Sequence, residues 1–409
     1  MTLTDNARAA DWQPSADYAG GARGAGSRSP QRIAEYERLR TDIPVAWAEE
    51  FGGYWTLSRY EDVSRAAKQA AQYESGQFFT LALPQGGDHI PITLNPPEHL
   101  FYRRLLNKYF LPARIDLLEA RVRQYTREQV KSILADGSAD VVPTLCQVVP
   151  ARALAALMNL PDGASQELIS QMRQFEDMGW DPAKVAPIIF GVFSGYIAKV
   201  VAERRQSPLD PEQDLISGAM AAEIDGQPLP DETVIGIGVQ MIAAGHATSA
   251  DAIAASIYRV ATNPDIQARL RLHPELIPTA VEEFLRLESP LPELGRRATS
   301  DVEVHGVTIA EGEYVGLNFA AANRDPEEFE HPDSCIIDRS PNQHLTFGAG
   351  SHKCVGAPLA RMELRVVLEE LLAATSEIRM DGATEETNGG ALAGIIKLPI
   401  RVIPAKAAV

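Results

Sequence analysis

One segment limits what this 409-residue chain can fold into more than any other stretch. It runs from Phe347 to Gly356, carries Cys354 between glycines, and leads directly into an amphipathic run over residues 357–372. Backbone N–H groups at a helix start favour a thiolate, which is a soft metal ligand. Gly350 and Gly356 would let a large planar cofactor approach the backbone. The segment predicts a cofactor seat, although Cys354 could also be an inert core residue.

The spacing Phe-x-x-Gly-x-x-x-Cys-x-Gly is complete here and resembles the haem-binding loop of the cytochrome P-450 family. The resemblance implies that Cys354 is the axial ligand of haem b, an iron protoporphyrin IX. It also places Phe347 and Gly356 beside the cysteine and His352 near a haem propionate. The fold that it implies is mainly α with a small β region.

Residues 95–104 read Asn-Pro-Pro-Glu-His-Leu-Phe-Tyr-Arg-Arg. Prolines suit the first turn of a helix, and His99 and Arg103, four residues apart, then share one face. Such a pair is most often solvated. The segment resembles the family's Asp-Pro-Pro-Glu-His helix, with Asn95 in the Asp place, which implies that His99 and Arg103 bind haem propionates. By the same register Arg296 reaches a propionate, since guanidinium groups match carboxylates.

A long helix is predicted from an N-cap at Asp231 to about residue 261. Within it Gln240, Ala244 and Thr248 recur every fourth residue and share a face. Small residues on a helix usually serve tight packing. A buried Gln240 amide needs a partner, either a substrate oxygen or a neighbouring backbone carbonyl.

The same stretch resembles the family's oxygen-activation motif through Ala244, Gly245, Thr248 and Ser249, and the resemblance makes Gly245, Ala247 and Thr248 the catalytic positions. Ala247 stands where the family usually has an acid. Either protons come from water, from His246 or from a group elsewhere, or oxygen activation in this protein is unusually leaky.

Glu283 and Arg286 lie three residues apart on a predicted helix. A pair with this spacing is normally a surface salt bridge of small value. Here it resembles the family's Glu-x-x-Arg, which implies an internal pair that, with Arg339, locks the core on the haem side.

Hydrophobic periodicity predicts further elements. Helices are expected over residues 31–40, 61–72, 114–135, 144–158, 164–178, 185–203 and 275–287, and short strands over residues 53–60, 302–304 and 307–309. Residues 1–30 are rich in Ala, Gly, Ser and Asp and are expected to form a disordered arm before a single domain over residues 31–409.

An apolar, loop-like stretch over residues 75–94 is typical of a segment that covers a site. With the resemblance it gives a set of substrate-pocket candidates: Phe78, Phe79, Leu83, Gln240, Ala243, Ala244, Leu291, Leu294 and Ile395. The chain looks most like bacterial hydroxylases of camphor and other terpenoids. We expect a small, mostly hydrophobic terpenoid or aromatic substrate.

A net charge of −17 argues against general nucleic-acid binding, because phosphate contacts need clustered Lys and Arg. Three widely spaced cysteines indicate a reducing compartment, and no apolar run approaches the length of a membrane span. We therefore expect a cytoplasmic protein with no membrane partner.

The activity that the resemblance implies is a monooxygenase that uses O2 to hydroxylate C–H bonds. Its electrons would come from an iron–sulfur ferredoxin and an NAD(P)H-dependent ferredoxin reductase. Arg104, Lys108 and Lys353 would form a local basic patch for that acidic partner. Two alternatives remain: a haem-thiolate protein that senses or binds a ligand with impaired oxygen activation, and a peroxide-driven oxygenase.

Overall fold

A computed structural model describes residues 28–49, 52–76, 89–161, 163–177, 182–386 and 394–406, without the side chains of residues 171–190. The pocket candidates Phe78, Phe79 and Leu83 and nearly all of the predicted N-terminal arm lie outside the described residues. The helices are α1 (Pro30–Thr41), α2 (Tyr60–Lys68), α3 (Glu98–Asn107), α4 (Pro112–Asp136), α5 (Val148–Leu157), α6 (Ala164–Asp177), α7 (Pro182–Gln206), α8 (Leu215–Met220), α9 (Asp231–Thr262), α10 (Pro264–Leu272), α11 (Ile277–Glu288), α12 (Phe319–Ala322) and α13 (Ala357–Ala374).

The strands are short, as expected. They are β1 (Val45–Ala48), β2 (Tyr54–Leu57), β3 (Tyr73–Glu74), β4 (Ser138–Asp140), β5 (Glu223–Ile224), β6 (Gln227–Pro228), β7 (Glu293–Ala298), β8 (Val302–Val304), β9 (Val307–Ile309), β10 (Tyr314–Asn318), β11 (Thr375–Met380), β12 (Glu385–Glu386), β13 (Ile395–Lys397) and β14 (Pro399–Pro404). The largest sheet has the order β1-β2-β10-β7-β3, and within it only β2 and β10 run parallel among the described strands. The mainly α fold with a small β region is thus confirmed.

Helix α9 is the central element of the helical part. Its 32 residues span about 48 Å, and α5, α7, α11 and α13 pack around it. Buried residues recur on several of its faces, as the sequence of a helix enclosed by other helices requires. The chain therefore places the middle of α9, with Thr248, deep in the molecule.

Three details of the predicted helices were wrong. The N-cap of α9 is Pro230, and Asp231 is already helical, where its carboxylate pairs with Arg205. Helix α2 ends at Lys68 and not at residue 72, because the chain turns there to form β3, which pairs with β7. The helix predicted over residues 144–158 is a π-helical turn at Val142–Cys146 followed by α5, and Pro150 has no N–H to donate to the Cys146 carbonyl.

Candidate active site

The loop that carries Cys354 is shaped by its own backbone. The Cys354 N–H donates to the Phe347 carbonyl at 2.8 Å, and Gly348 and Gly350 take positive φ angles of 65° and 69°. The backbone amides of Gly356 and Ala357, at the start of α13, favour the thiolate form of Cys354. The cysteine therefore lies beside a helix start, as the sequence indicated.

The two loop glycines, Gly350 and Gly356, have different protein surroundings. A Cβ at Gly350 would lie 2.5 Å from the Ala67 carbonyl, so this glycine lets the loop approach the end of α2. A Cβ at Gly356 would meet the Cys354 sulfur at 3.8 Å, which is an ordinary contact, and Gly356 has an ordinary φ of −78°.

The Cys354 side chain is accessible to solvent but is also closely surrounded by protein atoms. Its side chain is exposed, yet protein atoms surround it closely enough that burial raises the pKa of the thiol. The amides of Gly356 and Ala357 and the charges of Arg103 and Arg361 act in the opposite direction.

Four basic residues converge beside this loop. The rings of His99 and His352 lie 4.0 Å apart, and both side chains feel the charges of Arg103 and Arg296. Burial, with these charges, lowers the pKa of His99 to about 4 and that of His352 to about 2. Burial also lowers the pKa of Arg103, and it lowers that of Arg296 to about 10.

This cluster has positive potential and unused donors. Both ring nitrogens of the buried His99 and the Nε2 atom of His352 have no hydrogen-bond partner within the described residues. Among those residues no carboxylate pairs with Arg103 or Arg296, and Arg296 donates to the Gly295 carbonyl at 2.8 Å. Unpaired buried donors of this kind fit an anionic ligand. The two carboxylates of haem b, with iron at the Cys354 sulfur, match this donor set.

No other arrangement for a metal appears in the part of the chain that the structure describes. There, no group of three or more His, Cys, Asp or Glu side chains could hold a metal ion. An iron bound here would therefore need a macrocycle to complete its ligands, with a single cysteine from the protein.

The middle of α9 presents a small-residue face. Ala244 is exposed and Ala243 and Thr248 are half-buried, although α9 lies between other helices, so other segments do not fully cover this face. The Thr248 hydroxyl donates to the Ala244 carbonyl at 2.7 Å. With its proton used in this way, the Thr248 oxygen is free to accept a hydrogen bond.

His246 and Gly245 face elsewhere. His246 is buried, its Nε2 atom lies 2.9 Å from the Gln147 carbonyl, and burial lowers the pKa of the ring to about 4. A Cβ at Gly245 would lie 2.9 Å from the Leu154 side chain on α5. Helix packing therefore accounts for Gly245, and His246 is turned away from the Thr248 face.

Gln240 is the polar member of the same face. Its side chain is buried, and within the described residues its amide makes no hydrogen bond, so the backbone-carbonyl alternative finds no support. Leu291 and Leu294 are half-buried around the start of β7, and Ile395, which begins β13, is buried in the main core next to α9.

Glu283 forms the centre of a buried polar network. Its carboxylate accepts two bonds of 2.8 Å from Arg286, one from the Ile336 amide at 2.9 Å, and others from Arg339 and Asn342. Burial opposes its ionisation, but these donors outweigh burial and leave the pKa below its usual value. The pair is internal, as the resemblance implied.

The sequence analysis did not identify one buried acid. Glu363 on α13 is fully buried, and neither carboxyl oxygen has a hydrogen-bond partner within the described residues. A signal was present: on a helix Glu363 shares its face with Leu359, Val366 and Val367.

Comparison with known proteins agrees with this site. The family model described as Cytochrome P-450 matches residues 142–386. The chain is 33% identical to mycinamicin IV hydroxylase/epoxidase of Micromonospora griseorubida over 85% of this chain and 89% of that one. It is 30% identical to linalool 8-monooxygenase of Pseudomonas putida over 90% of this chain and 95% of that one.

The solved structures agree as well. The crystal structure of CYP108D1 from Novosphingobium aromaticivorans superimposes with a TM-score of 0.80 at 28% identity, over 92% of this chain and 95% of that one. Fold and comparisons define a protein that binds haem b. The chain belongs to the cytochrome P-450 family and is a monooxygenase of the bacterial type. Within the described residues no helix is long and apolar enough to cross a membrane.

Proposed function

We propose that this monooxygenase hydroxylates a small, mostly hydrophobic terpenoid or aromatic molecule that carries one hydrogen-bonding oxygen. The observation that carries the proposal is the face of α9, on which Ala243 and Ala244 are apolar and Gln240 is a single buried amide without a partner among the described residues. An apolar wall with one polar group is typical of a site that orients a small ligand. A relative named linalool 8-monooxygenase supports the terpenoid class.

The site residues take the following roles in this proposal. Cys354 ligates the iron, with Phe347 and Gly356 beside it. His99, Arg103, Arg296 and His352 bind the two propionates of the cofactor. This explains why the His99 ring and the His352 Nε2 atom have no partner, and why no carboxylate pairs with the two arginines, within the described protein. Glu283, Arg286 and Arg339 hold the adjacent core in place.

The bound haem supplies reductive activation of dioxygen and oxygen insertion into a C–H bond, with the second oxygen released as water. The chain contributes orientation and protons. Gln240 fixes the substrate by its oxygen, the small side chains of Ala243 and Ala244 leave room for its apolar part, and the Thr248 oxygen accepts a hydrogen bond from water. The Ala247 side chain has no ionisable group, so a proton donor must lie elsewhere.

We further propose that a ferredoxin, reduced by an NAD(P)H-dependent reductase, supplies the electrons. Arg104 and Lys353 are exposed and have no ion pair among the described residues, so their charge is available to an acidic partner. Lys108 differs, because its Nζ atom pairs with Glu212 at 2.8 Å. The docking patch is therefore smaller than the sequence suggested.

A panel of compounds tests the substrate class. Titration of the low-spin to high-spin shift of the Soret band gives a Kd for each compound. Small terpenoid or aromatic compounds should give the shift, and Gln240→Leu should weaken the oxygen-bearing members about tenfold. Their deoxygenated analogues should bind the variant and the parent protein equally. A response confined to long-chain acids would contradict the proposal.

The role of Cys354 has its own test. The reduced protein with carbon monoxide should show the red-shifted Soret band of thiolate-ligated iron. Cys354→Ser should abolish that band, and Cys146→Ser and Cys335→Ser are the matched controls that should keep it. A retained band in Cys354→Ser would overturn the assignment. Product formed with dioxygen and reductase, and not only a spectral shift, separates the enzyme from a ligand sensor.

A further inference from the structure

Arg28, which lies directly before α1, is a buried cation that the site described above does not use. Its guanidinium group lies over the Tyr258 ring, 5.5 Å from the ring centroid, and its side chain is only 9% exposed. The Nε atom lies 2.7 Å from a Glu288 carboxylate oxygen, and a terminal nitrogen of the same group donates to Glu386 at 2.8 Å. One side chain near the N-terminus therefore joins two acids from distant parts of the chain.

The two acids belong to elements that lead to substrate-pocket candidates. Glu288 ends α11, three residues before Leu291. Glu386 lies on β12, where it stands opposite Ile395 in the pairing of β12 with β13. The contacts of Arg28 therefore join the segment that carries Leu291 to the hairpin that carries Ile395.

Asp251 brings α9 into the same cluster. Its carboxylate attracts the Arg28 guanidinium group, and it also lies close to the backbone of β13. A Cβ at Gly394, directly before Ile395, would come within 2.1 Å of an Asp251 oxygen, so a glycine is needed for this approach. Elements α9, α11 and β12 thus converge on Arg28.

The charges in this cluster explain why it contains an arginine. Glu288 is 2% exposed and lies in the last turn of α11, where the helix dipole disfavours a carboxylate. Arg259 lies 2.6 Å from one oxygen of Glu288, and Arg28 lies beside the other. Loss of Arg28 would take the paired cation from a buried carboxylate oxygen and would separate β12 from α11.

Helix α1 does not need this side chain as an anchor. The helix is capped by Ser29, its Arg40 donates to the Ala321 carbonyl at 2.9 Å, and Tyr36 is buried. Because these contacts already hold α1, its start gives Arg28 a fixed position. From that position Arg28 holds β12 against the end of α11.

We propose that Arg28 is a specificity-determining positioning residue, which sets the separation of Leu291 and Ile395 by joining the end of α11 to β12. The inference rests on the proposed function, since it takes these two residues as walls of the substrate pocket. A wall that is already fixed spares the ligand the cost of ordering it. Loss of Arg28 should therefore weaken ligands that reach the walls and leave smaller ligands unaffected.

Two iron-binding probes of different size test the proposal. Imidazole ligates iron and is too small to reach the walls, whereas 4-phenylimidazole adds a ring that packs against them. In Arg28→Ala the Kd of 4-phenylimidazole, measured from the red shift of the Soret band, should rise about tenfold, and the Kd of imidazole should not change. Arg28→Lys keeps the charge but loses the fork that reaches two carboxylates, so its Kd should lie between those of Arg28→Ala and the parent protein.

Lys397→Ala is the matched control. Lys397 pairs with Glu385 at 2.6 Å across the same two strands, but both side chains are about half exposed. Exposed pairs contribute little, so both Kd values should equal those of the parent protein. The probes need neither substrate nor ferredoxin, so a failure of this test and a failure of the proposed function are distinguishable.

Backbone hydrogen exchange provides a readout that a role confined to α1 would not change. In Arg28→Ala, exchange should accelerate in β13 and keep the parent rate in the hairpin formed by β8 and β9. Should Arg28→Ala fail to fold, Glu386→Gln removes the other end of the same link and should give both changes. An unchanged Kd of 4-phenylimidazole in the folded variant, or an equal rise for imidazole, would overturn the inference.

Discussion

The loop around Cys354 and the middle of α9 are built in opposite ways. The backbone of the loop is held by local contacts, since the Cys354 N–H donates to the Phe347 carbonyl and the amides of Gly356 and Ala357 favour the Cys354 thiolate. The middle of α9 depends on other segments: His246 bonds to Gln147, Gly245 receives Leu154, and Ser249 faces Glu363.

Because of this difference, the two regions should respond to substitutions in different parts of the chain. A self-contained loop keeps its shape as long as the core beneath it holds, so changes far along the chain reach it through that core. The middle of α9 depends on segments that pack against it, so a substitution in one of those segments should alter its contacts without altering the loop. The predictions below test this contrast, from the largest expected effect to the smallest.

The largest effect should come from the core beneath the loop. Glu283→Gln leaves Arg286, which is fully buried, and Arg339 without their counter-charge. Breaking a buried ion pair from one side destabilises a protein by about 3–5 kcal/mol. We expect denaturant unfolding to show a loss of this size, with lower haem content after expression.

Asp338→Asn is the matched control. Asp338 also pairs with an arginine, Arg269, but both side chains are nearly half exposed. Exposed pairs contribute roughly 0–1 kcal/mol. Equal losses in the two variants would mean that the network around Glu283 does not support the loop more than any surface pair does.

The second-largest effect should be a pH dependence of the free energy of unfolding that is caused by Glu363. Its folded pKa of about 8 exceeds the usual value of 4.5, so the folded protein keeps a proton that the unfolded chain releases. Stability from this group is fully present below pH 4.5 and falls as the pH rises towards 8. Between pH 6 and pH 8 the loss should be about 2 kcal/mol.

Glu363→Gln cannot release a proton and should lack this part of the slope. Urea unfolding of the parent protein and the variant at several pH values measures the difference. The reference is Glu370→Gln, on the same helix, whose native carboxylate pairs with Arg123 and Arg127. Parallel stability curves for parent and Glu363→Gln would show that the buried acid is ionised in the folded protein.

These cases show which features were predictable. Cys354 and the Glu283–Arg286 pair belong to motifs with short, fixed spacings, so the sequence could single them out, and the internal position of the pair is confirmed. Glu363 has a local signal, its apolar helical face, but that face could pack on any element, and only the contact of α13 with α9 places it beside Ser249.

Glycines and surface charges were harder to interpret. Gly350 contacts Ala67, and Lys108 pairs with Glu212, a residue 104 positions away. Neither partner lies near in the sequence, so no spacing rule could have identified it. Sequence patterns thus gave the residue types at the site, and the packing of distant segments determined what several of them contact.

A smaller effect should come from removing the Thr248 hydroxyl on α9. Thr248→Ala removes the oxygen that accepts a hydrogen bond from water, so product per NADH should fall about tenfold and peroxide should rise. Ala247→Asp should raise coupling above that of the parent protein if proton supply limits it. An unchanged ratio in Thr248→Ala would remove this hydroxyl from the mechanism.

The smallest effect concerns the surface beside the loop. Lys353→Glu and Arg104→Glu reverse charges that are exposed and lack an ion pair within the described protein, so both should slow electron transfer from an acidic ferredoxin by a few-fold. Salt screens surface charges, and the difference from the parent protein should therefore shrink as ionic strength rises.

Lys108→Glu is the informative comparison, because Lys108 is already paired with Glu212 and its reversal should have less effect than either of the others. Stopped-flow reduction at several salt concentrations measures all three, with the substrate Kd as the internal control. An equal effect of Lys108→Glu would extend the docking surface towards Glu212, whereas three unaffected rates would place the ferredoxin on another face.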